Sequence, residues 1–174
     1  HVDHGKSQII ETISKKRILD KEAGRITQKI SAVKVDIKDI NSLAGGMLKN
    51  LKTKIKIPGF LFIDSPGHAA FTNLRKRGGN LADIAILVID VNEGILTQTQ
   101  EAIEILKKCK TPFIIALNKI DLVTGWRQNP GKDILTNINS QSENVRNHLD
   151  TQLYTVVGKL YELGFNAERF DRVN

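Results

Sequence analysis

Three short segments of this chain carry residues that could do chemistry on a phosphorylated ligand: His1-Val2-Asp3-His4-Gly5-Lys6-Ser7, Asp64-Ser65-Pro66-Gly67-His68 and Asn118-Lys119-Ile120-Asp121. The first holds everything after the leading glycine of a G-x-x-x-x-G-K-[ST] phosphate-binding loop. Asp3, His4 and Gly5 belong to that loop, whose backbone N–H groups point at phosphate oxygens. The helix that follows adds its positive N-terminal end. Lys6 would reach the β- and γ-phosphates, and the Ser7 hydroxyl would bind Mg²⁺. A bare Gly-Lys-Ser recurs by chance, so its weight depends on the other two segments.

Asp64 closes a buried apolar run, where a carboxylate suits an acid that holds Mg²⁺ through water. Gly67 can bring its N–H to a γ-phosphate with no Cβ in the way. Taken alone, Asp-Ser-Pro-Gly reads better as an ordinary polar turn. Asn118-Lys119-Ile120-Asp121 also follows a buried run. The Asp121 carboxylate can accept two hydrogen bonds from guanine N1 and N2, a pair that adenine does not offer. Asn118 would support the loop and the base, and the aliphatic stem of Lys119 would lie against the ring. A site built this way rejects a mismatched base by ~10⁴ or more. The bland alternative is a strand followed by a charged turn. Three such segments in this order, each at a strand end, favour guanine nucleotide binding over three coincidences.

The elements that must position these residues read as an α/β fold. Apolar runs at Phe60–Ile63, Ile84–Ile89 and Phe113–Leu117 alternate with helical patterns, as in a mainly parallel sheet with helices on both faces. Each run ends in a polar element: Asp64-Ser65-Pro66-Gly67, Asp90-Val91-Asn92 and Asn118-Lys119-Ile120-Asp121. Ligands of open α/β sheets bind at that edge. Ala102, Ile103, Leu106 and Cys109 predict a helix over Thr97–Lys108. Val33, Val35 and Ile37 alternate as a half-buried strand, which should pair antiparallel with the strand after Pro58-Gly59. A short helix carrying Ile40, Leu43, Leu48 and Leu51, interrupted at Gly45-Gly46, should connect the two. Residues 124–144 read as a long surface connection. After it, Val145, Leu149, Leu153, Val156, Val157, Leu160 and Leu163 define a long core-facing helix, with Ser142 as N-cap and Gly164 at its end.

The bulk properties bound the reading. The chain has 174 residues, 40% hydrophobic and 26% charged, enough for one globular domain. No apolar run approaches the ~20 residues that span a bilayer. The single cysteine, Cys109, cannot form an internal disulfide, and its place on the apolar helix face predicts a buried structural thiol. The net charge of +7 permits a nucleic-acid partner, with Lys15-Lys16-Arg17 and Arg75-Lys76-Arg77 as its densest parts. Solvated helix faces are the stronger reading of each cluster taken singly.

On these residues the chain resembles the translational GTPases. The phosphate loop His-Val-Asp-His-Gly-Lys-Ser and the run Asp-Ser-Pro-Gly-His carry the likeness, with His68 directly after Gly67 as its most specific residue. Within that family the chain is similar to the initiation factor 5B branch, the archaeal and eukaryotic relatives of bacterial initiation factor two. The segments Ala23–Ala32, Ile57–Asp64, Phe71–Gly79, Gly125-Trp126 and Ala167–Asp171 carry this narrower likeness, which extends over essentially the whole chain.

The resemblance implies a P-loop, Ras-like G domain over residues 1–174, incomplete at both ends and without its first strand. It implies a family-type insertion over 122–174. It also implies that GTP is hydrolysed to GDP and phosphate, with His68 orienting the attacking water. Thr27 would close on Mg²⁺ beside Ser7 and Asp64, and Val2 and Ile26 would gate water. Asp3 would help to hold a monovalent cation. The implied setting is a cytoplasmic, membrane-free monomer acting on the ribosome during subunit joining, with initiator tRNA held by domains outside this chain. The rival readings are an elongation or selenocysteine factor, and a non-catalytic nucleotide-sensing or RNA-binding scaffold.

Overall fold

The computed structural model describes residues 4–15, 31–48, 56–64 and 82–173, with the side chains of residues 45–48 outside the description. The chain forms two compact units, Val2–Leu81 and Ala82–Asn174.

In the first unit, helix α1 (Lys6–Ser14) starts at Gly5, whose φ of 86° is a left-handed conformation that costs glycine little. Its buried positions are Ser7, Ile10 and Ser14, spaced to lie on one face. Strands β1 (Ser31–Asp36) and β2 (Gly59–Asp64) pair antiparallel, from Ser31 opposite Asp64 to Asp36 opposite Gly59. The expected antiparallel pair is therefore present. Gly59 is required at its corner, since a Cβ there would lie 2.4 Å from the Val35 carbonyl oxygen.

Helix α2 (Ile37–Leu48) follows β1 without a break. Two expectations change here. Ile37 opens the helix instead of ending the strand, and its N–H donates to the Pro58 carbonyl at 2.9 Å. Gly45 and Gly46 are helical, so the glycine pair does not interrupt α2. Each glycine in a helix interior costs only about 1 kcal/mol, which the packing of α2 on α1, β1 and β2 can offset. Leu51 lies outside the described residues.

In the second unit, β3 (Ala85–Asp90) and β4 (Phe113–Asn118) pair parallel, joined by helix α3 (Thr97–Cys109). Helix α4 (Ile134–Asn139) and the long helix α5 (Glu143–Glu162) complete it. One strand face carries Leu87, Ile89, Phe113, Ile115 and Leu117. It packs against Ile103 of α3 and Val156 and Leu160 of α5. A second cluster, built on Val91, Val123, Val145 and Leu149, lies beneath the loop that follows β4 and takes in Ile120, Trp126 and Ile138. On the opposite strand face Ile86 and Ile114 are exposed, while Val88 is buried.

Alpha5 matches the predicted long helix in extent, with Gly164 left-handed at its stop. Ser142 sits at its N-cap but makes no side-chain capping bond. The polar connection before it is more ordered than its composition predicts. The Asp133 carboxylate accepts from the Thr136 backbone N–H at 3.0 Å and starts α4. Two side-chain amides pin the rest. Asn137 Oδ1 accepts from the Asn129 N–H, and Gln141 bridges the Arg127 N–H and C=O. Cys109 is half-buried rather than buried, because α3 ends there and the chain turns away at Lys110.

Candidate functional site

The described phosphate-loop residues lead directly into a helix start. His4 is almost completely buried, at 1% exposure, and Gly5 turns the chain into α1. The Gly5 carbonyl accepts from the Ile9 N–H at 3.0 Å, closing the first helical turn. Lys6 and Ser7 are the first two helical residues, with Lys6 half-buried and Ser7 buried. The first turn contains no acidic side chain, which leaves the positive end of the helix available to an anion.

Ser7 and Asp64 are brought together across 57 residues of sequence: the Ser7 hydroxyl donates to Asp64 Oδ2 at 2.5 Å. Both are buried, and Asp64 is the last residue of β2. One neutral and one anionic oxygen, packed at a helix N-terminus, fit Mg²⁺. That small hard ion is commonly held by one or two protein oxygens plus substrate phosphates. The described residues contain no cluster of three or more His, Cys, Asp or Glu that could hold a metal.

The candidate base-reading segment is equally well defined in its own unit, at the C-terminal ends of β3 and β4. Asp90 and Asn118 are register partners on these strands, and the Val91 N–H donates to the Asn118 carbonyl at 3.0 Å. Lys119 then adopts φ 62° and ψ 32°, a left-handed conformation uncommon outside glycine. This reversal carries the chain into a single 3₁₀ turn, Ile120–Leu122, closed by the Leu122 N–H on the Lys119 carbonyl at 3.0 Å. Asp121 lies in that turn and is exposed. Asn118 is half-buried.

One residue beside this segment, on β3, carries more than its type and place in the sequence indicate. The carboxylate of Asp90 is 7% exposed and its Oδ2 pairs with Lys119 Nζ at 2.9 Å. Its Oδ1 accepts from the Asn92 N–H at 2.9 Å. The only sequence signal was an aspartate at a strand end, read as a polar edge element. Its register match to Asn118 requires the pairing of two strands 28 residues apart, which composition does not reveal.

Asp3, Thr27, Gly67 and His68 lie outside the described residues, as do Val2, Ile26, Lys16, Arg17 and the Arg75-Lys76-Arg77 run. Lys15 is described, and its ammonium lies 3.5 Å from the Ser42 hydroxyl. No helix among the described residues is long and apolar enough to cross a membrane.

Comparison with known proteins adds to this geometry. Residues 1–166 match the family described as the elongation factor Tu GTP binding domain. A protein of Thermococcus onnurineus described as a probable translation initiation factor IF-2 is 52% identical over 173 residues, covering 99% of this chain and 29% of that protein. Among solved structures, GDP-bound aIF5B from Aeropyrum pernix superposes with a TM-score of 0.83 at 47% identity, covering 100% of this chain and 29% of that one. The bacterial selenocysteine-specific elongation factor EF-Sec superposes with a TM-score of 0.59 at 26% identity, over 97% of this chain and 23% of that one. This chain thus spans less than a third of the length of these relatives.

Proposed function

We propose, since this chain belongs to the elongation factor Tu GTP-binding domain family, that it is the GTP-hydrolysing domain of a translation initiation factor. The proposed reaction is attack of water on the γ-phosphorus of GTP, breaking the bond to the β–γ bridging oxygen and releasing GDP and phosphate. Lys6 and the loop N–H groups of Asp3, His4 and Gly5 hold the phosphates. His68 orients the water. Asn118, Lys119 and Asp121 take the guanine, with Asp121 accepting from N1 and N2. Ser7, Thr27 and Asp64 would hold Mg²⁺, which supplies charge neutralisation on the β- and γ-phosphate oxygens when bound. Gly67 and Thr27 respond to the γ-phosphate, so its loss becomes a conformational signal.

The observation that carries this reading is the Ser7–Asp64 hydrogen bond. It places the hydroxyl of a Gly-Lys-Ser helix start against the carboxylate of a strand end, which a chance Gly-Lys-Ser has no reason to do. The initiation-factor assignment is supported by about 50% identity to archaeal proteins so described. It is also supported by the likeness to a solved aIF5B, against 26% identity to EF-Sec.

The remaining features of the proposal follow from the same branch. The ribosome stimulates hydrolysis during subunit joining, and initiator tRNA is engaged by parts of the protein outside this chain. Asp3 contributes to a monovalent cation near the phosphates, and the protein acts as a cytoplasmic monomer. Residues 122–174 form the branch's insertion, with the amide-pinned connection and α5 as its structured parts.

The test is His68→Ala in the full-length protein, read by GTP binding and by phosphate release with ribosomes. Retained binding with loss of ribosome-stimulated release supports the assignment, and normal turnover removes it.

A further inference from the structure

We propose that Asp90 is a positioning residue for nucleotide binding: it holds the tip of Lys119, so that the lysine stem is presented as a fixed wall for the purine ring. This rests on the reading of Asn118-Lys119-Ile120-Asp121 as the base-recognising segment.

The case begins with the cost of burying a charge. A carboxylate that is 7% exposed must be paired or hydrogen-bonded to remain ionised. Asp90 divides its oxygens between two kinds of partner. Oδ1 is tied to the backbone of its own turn by the Asn92 N–H. Oδ2 pairs with Lys119 Nζ at 2.9 Å. The carboxylate is therefore a fixed object rather than a mobile one. The parallel ladder fixes it further, since Asp90 is opposite Asn118 and the Val91 N–H bonds to the Asn118 carbonyl.

Lysine is otherwise a poor wall. Its four-carbon stem has free rotation, and holding it against a ring would cost conformational entropy at each binding event. In this structure that cost is met before the ligand arrives. The backbone of Lys119 is set by its left-handed turn, and its ammonium is set by Asp90. With the charge engaged by Asp90, the stem is what Lys119 offers a base, and a stem has no preference among purines. Asp121, exposed and two residues on, is the group that selects guanine.

Two consequences separate this role from a purely structural one. Loss of the anchor should weaken GDP and inosine diphosphate by the same factor, because the stem contacts the ring face and not the N2 amino group. The effect should also pass through Lys119. In the full-length protein, Asp90→Asn should release GDP roughly two- to twelvefold faster, and inosine diphosphate by an equal factor. In a Lys119→Met background, which keeps a stem and removes the ammonium, Asp90→Asn should add less than about twofold. Asp90→Glu retains a carboxylate but displaces it by one methylene, and should give an intermediate release rate; it serves if Asp90→Asn does not fold.

Additive effects of Asp90→Asn and Lys119→Met overturn the proposal. So do wild-type release rates in both Asp90 variants, or slower release in Asp90→Asn, which would mean that the ion pair withholds Lys119 from the base. A wild-type protein that binds no GDP is a different failure, that of the functional reading itself.

Discussion

Removing the Ser7 hydroxyl tests the joint between the phosphate loop and the β2 strand end. Ser7 is 8% exposed and Asp64 is 3% exposed, so their 2.5 Å hydrogen bond is shielded from water. A hydrogen bond to a charged group contributes about 1.5–3 kcal/mol net. Asp64 has further interactions, so Ser7→Ala removes one donor and does not orphan the carboxylate. We expect a loss of about 2 kcal/mol, near the lower part of that range. With a urea slope of about 2 kcal/mol per molar, the unfolding midpoint should fall by about 1 M. The same variant should have a second signature. Chelating Mg²⁺ should speed GDP release from the wild-type protein, and most of that difference should vanish in Ser7→Ala. A variant that keeps both the wild-type midpoint and the wild-type Mg²⁺ dependence would refute the reasoning.

Asn137 is 2% exposed and pins the polar connection, with Oδ1 on the Asn129 N–H at 2.8 Å and Nδ2 directed at the carbonyls of Asn129, Lys132 and Asp133. Asn137→Leu should cost about 2–4 kcal/mol in urea unfolding, because buried backbone groups lose their partners. A change within about 0.5 kcal/mol would show that the pin is dispensable.

The carboxyl of Asp133 is held below its ordinary value, first by the Thr136 hydroxyl and then by the Thr136 backbone N–H. A folded-state value below the unfolded one gives stability that is present above the unfolded value, near pH 4, and lost as pH falls through the folded value. NMR titration should therefore show the start of α4 loosening in acid, and Thr136→Ala should move the Asp133 midpoint back upward. An unmoved midpoint would remove the hydroxyl as the main cause.

The strand cores and the long helix were legible because burial on one face leaves a period. Phe113 to Leu117 and the Val145-Leu149-Val156-Leu160 stripe both appear in the structure as read. The antiparallel pair was legible from the Val33-Val35 alternation and the Pro58-Gly59 corner. What was not legible depends on local chemistry or on pairing. Asp133 starts a helix within a stretch whose Asn and Gln content predicts a loop, and the buried amides of Asn137 and Gln141 work only because the chain folds back on itself. Propensity alone predicts a break at Gly45-Gly46, and tertiary packing overrides it. Among the candidate site residues, Lys6, Ser7 and Asp64 in one unit and Asn118-Lys119-Ile120-Asp121 in the other are all visible as motif residues. Asp90 is not, since its value lies in a cross-strand register and an ion pair to Lys119.

The central claim is that this chain selects guanine through the carboxylate of Asp121, and exchanging that carboxylate for an amide tests it most directly. The full-length protein and its Asp121→Asn variant should be titrated with guanosine and xanthosine diphosphates. With two charge-assisted hydrogen bonds at stake, at about 1.5–3 kcal/mol each, the preference should shift from guanosine toward xanthosine by at least a hundredfold. An unchanged preference for guanosine, in a variant that still binds nucleotide, would contradict the account.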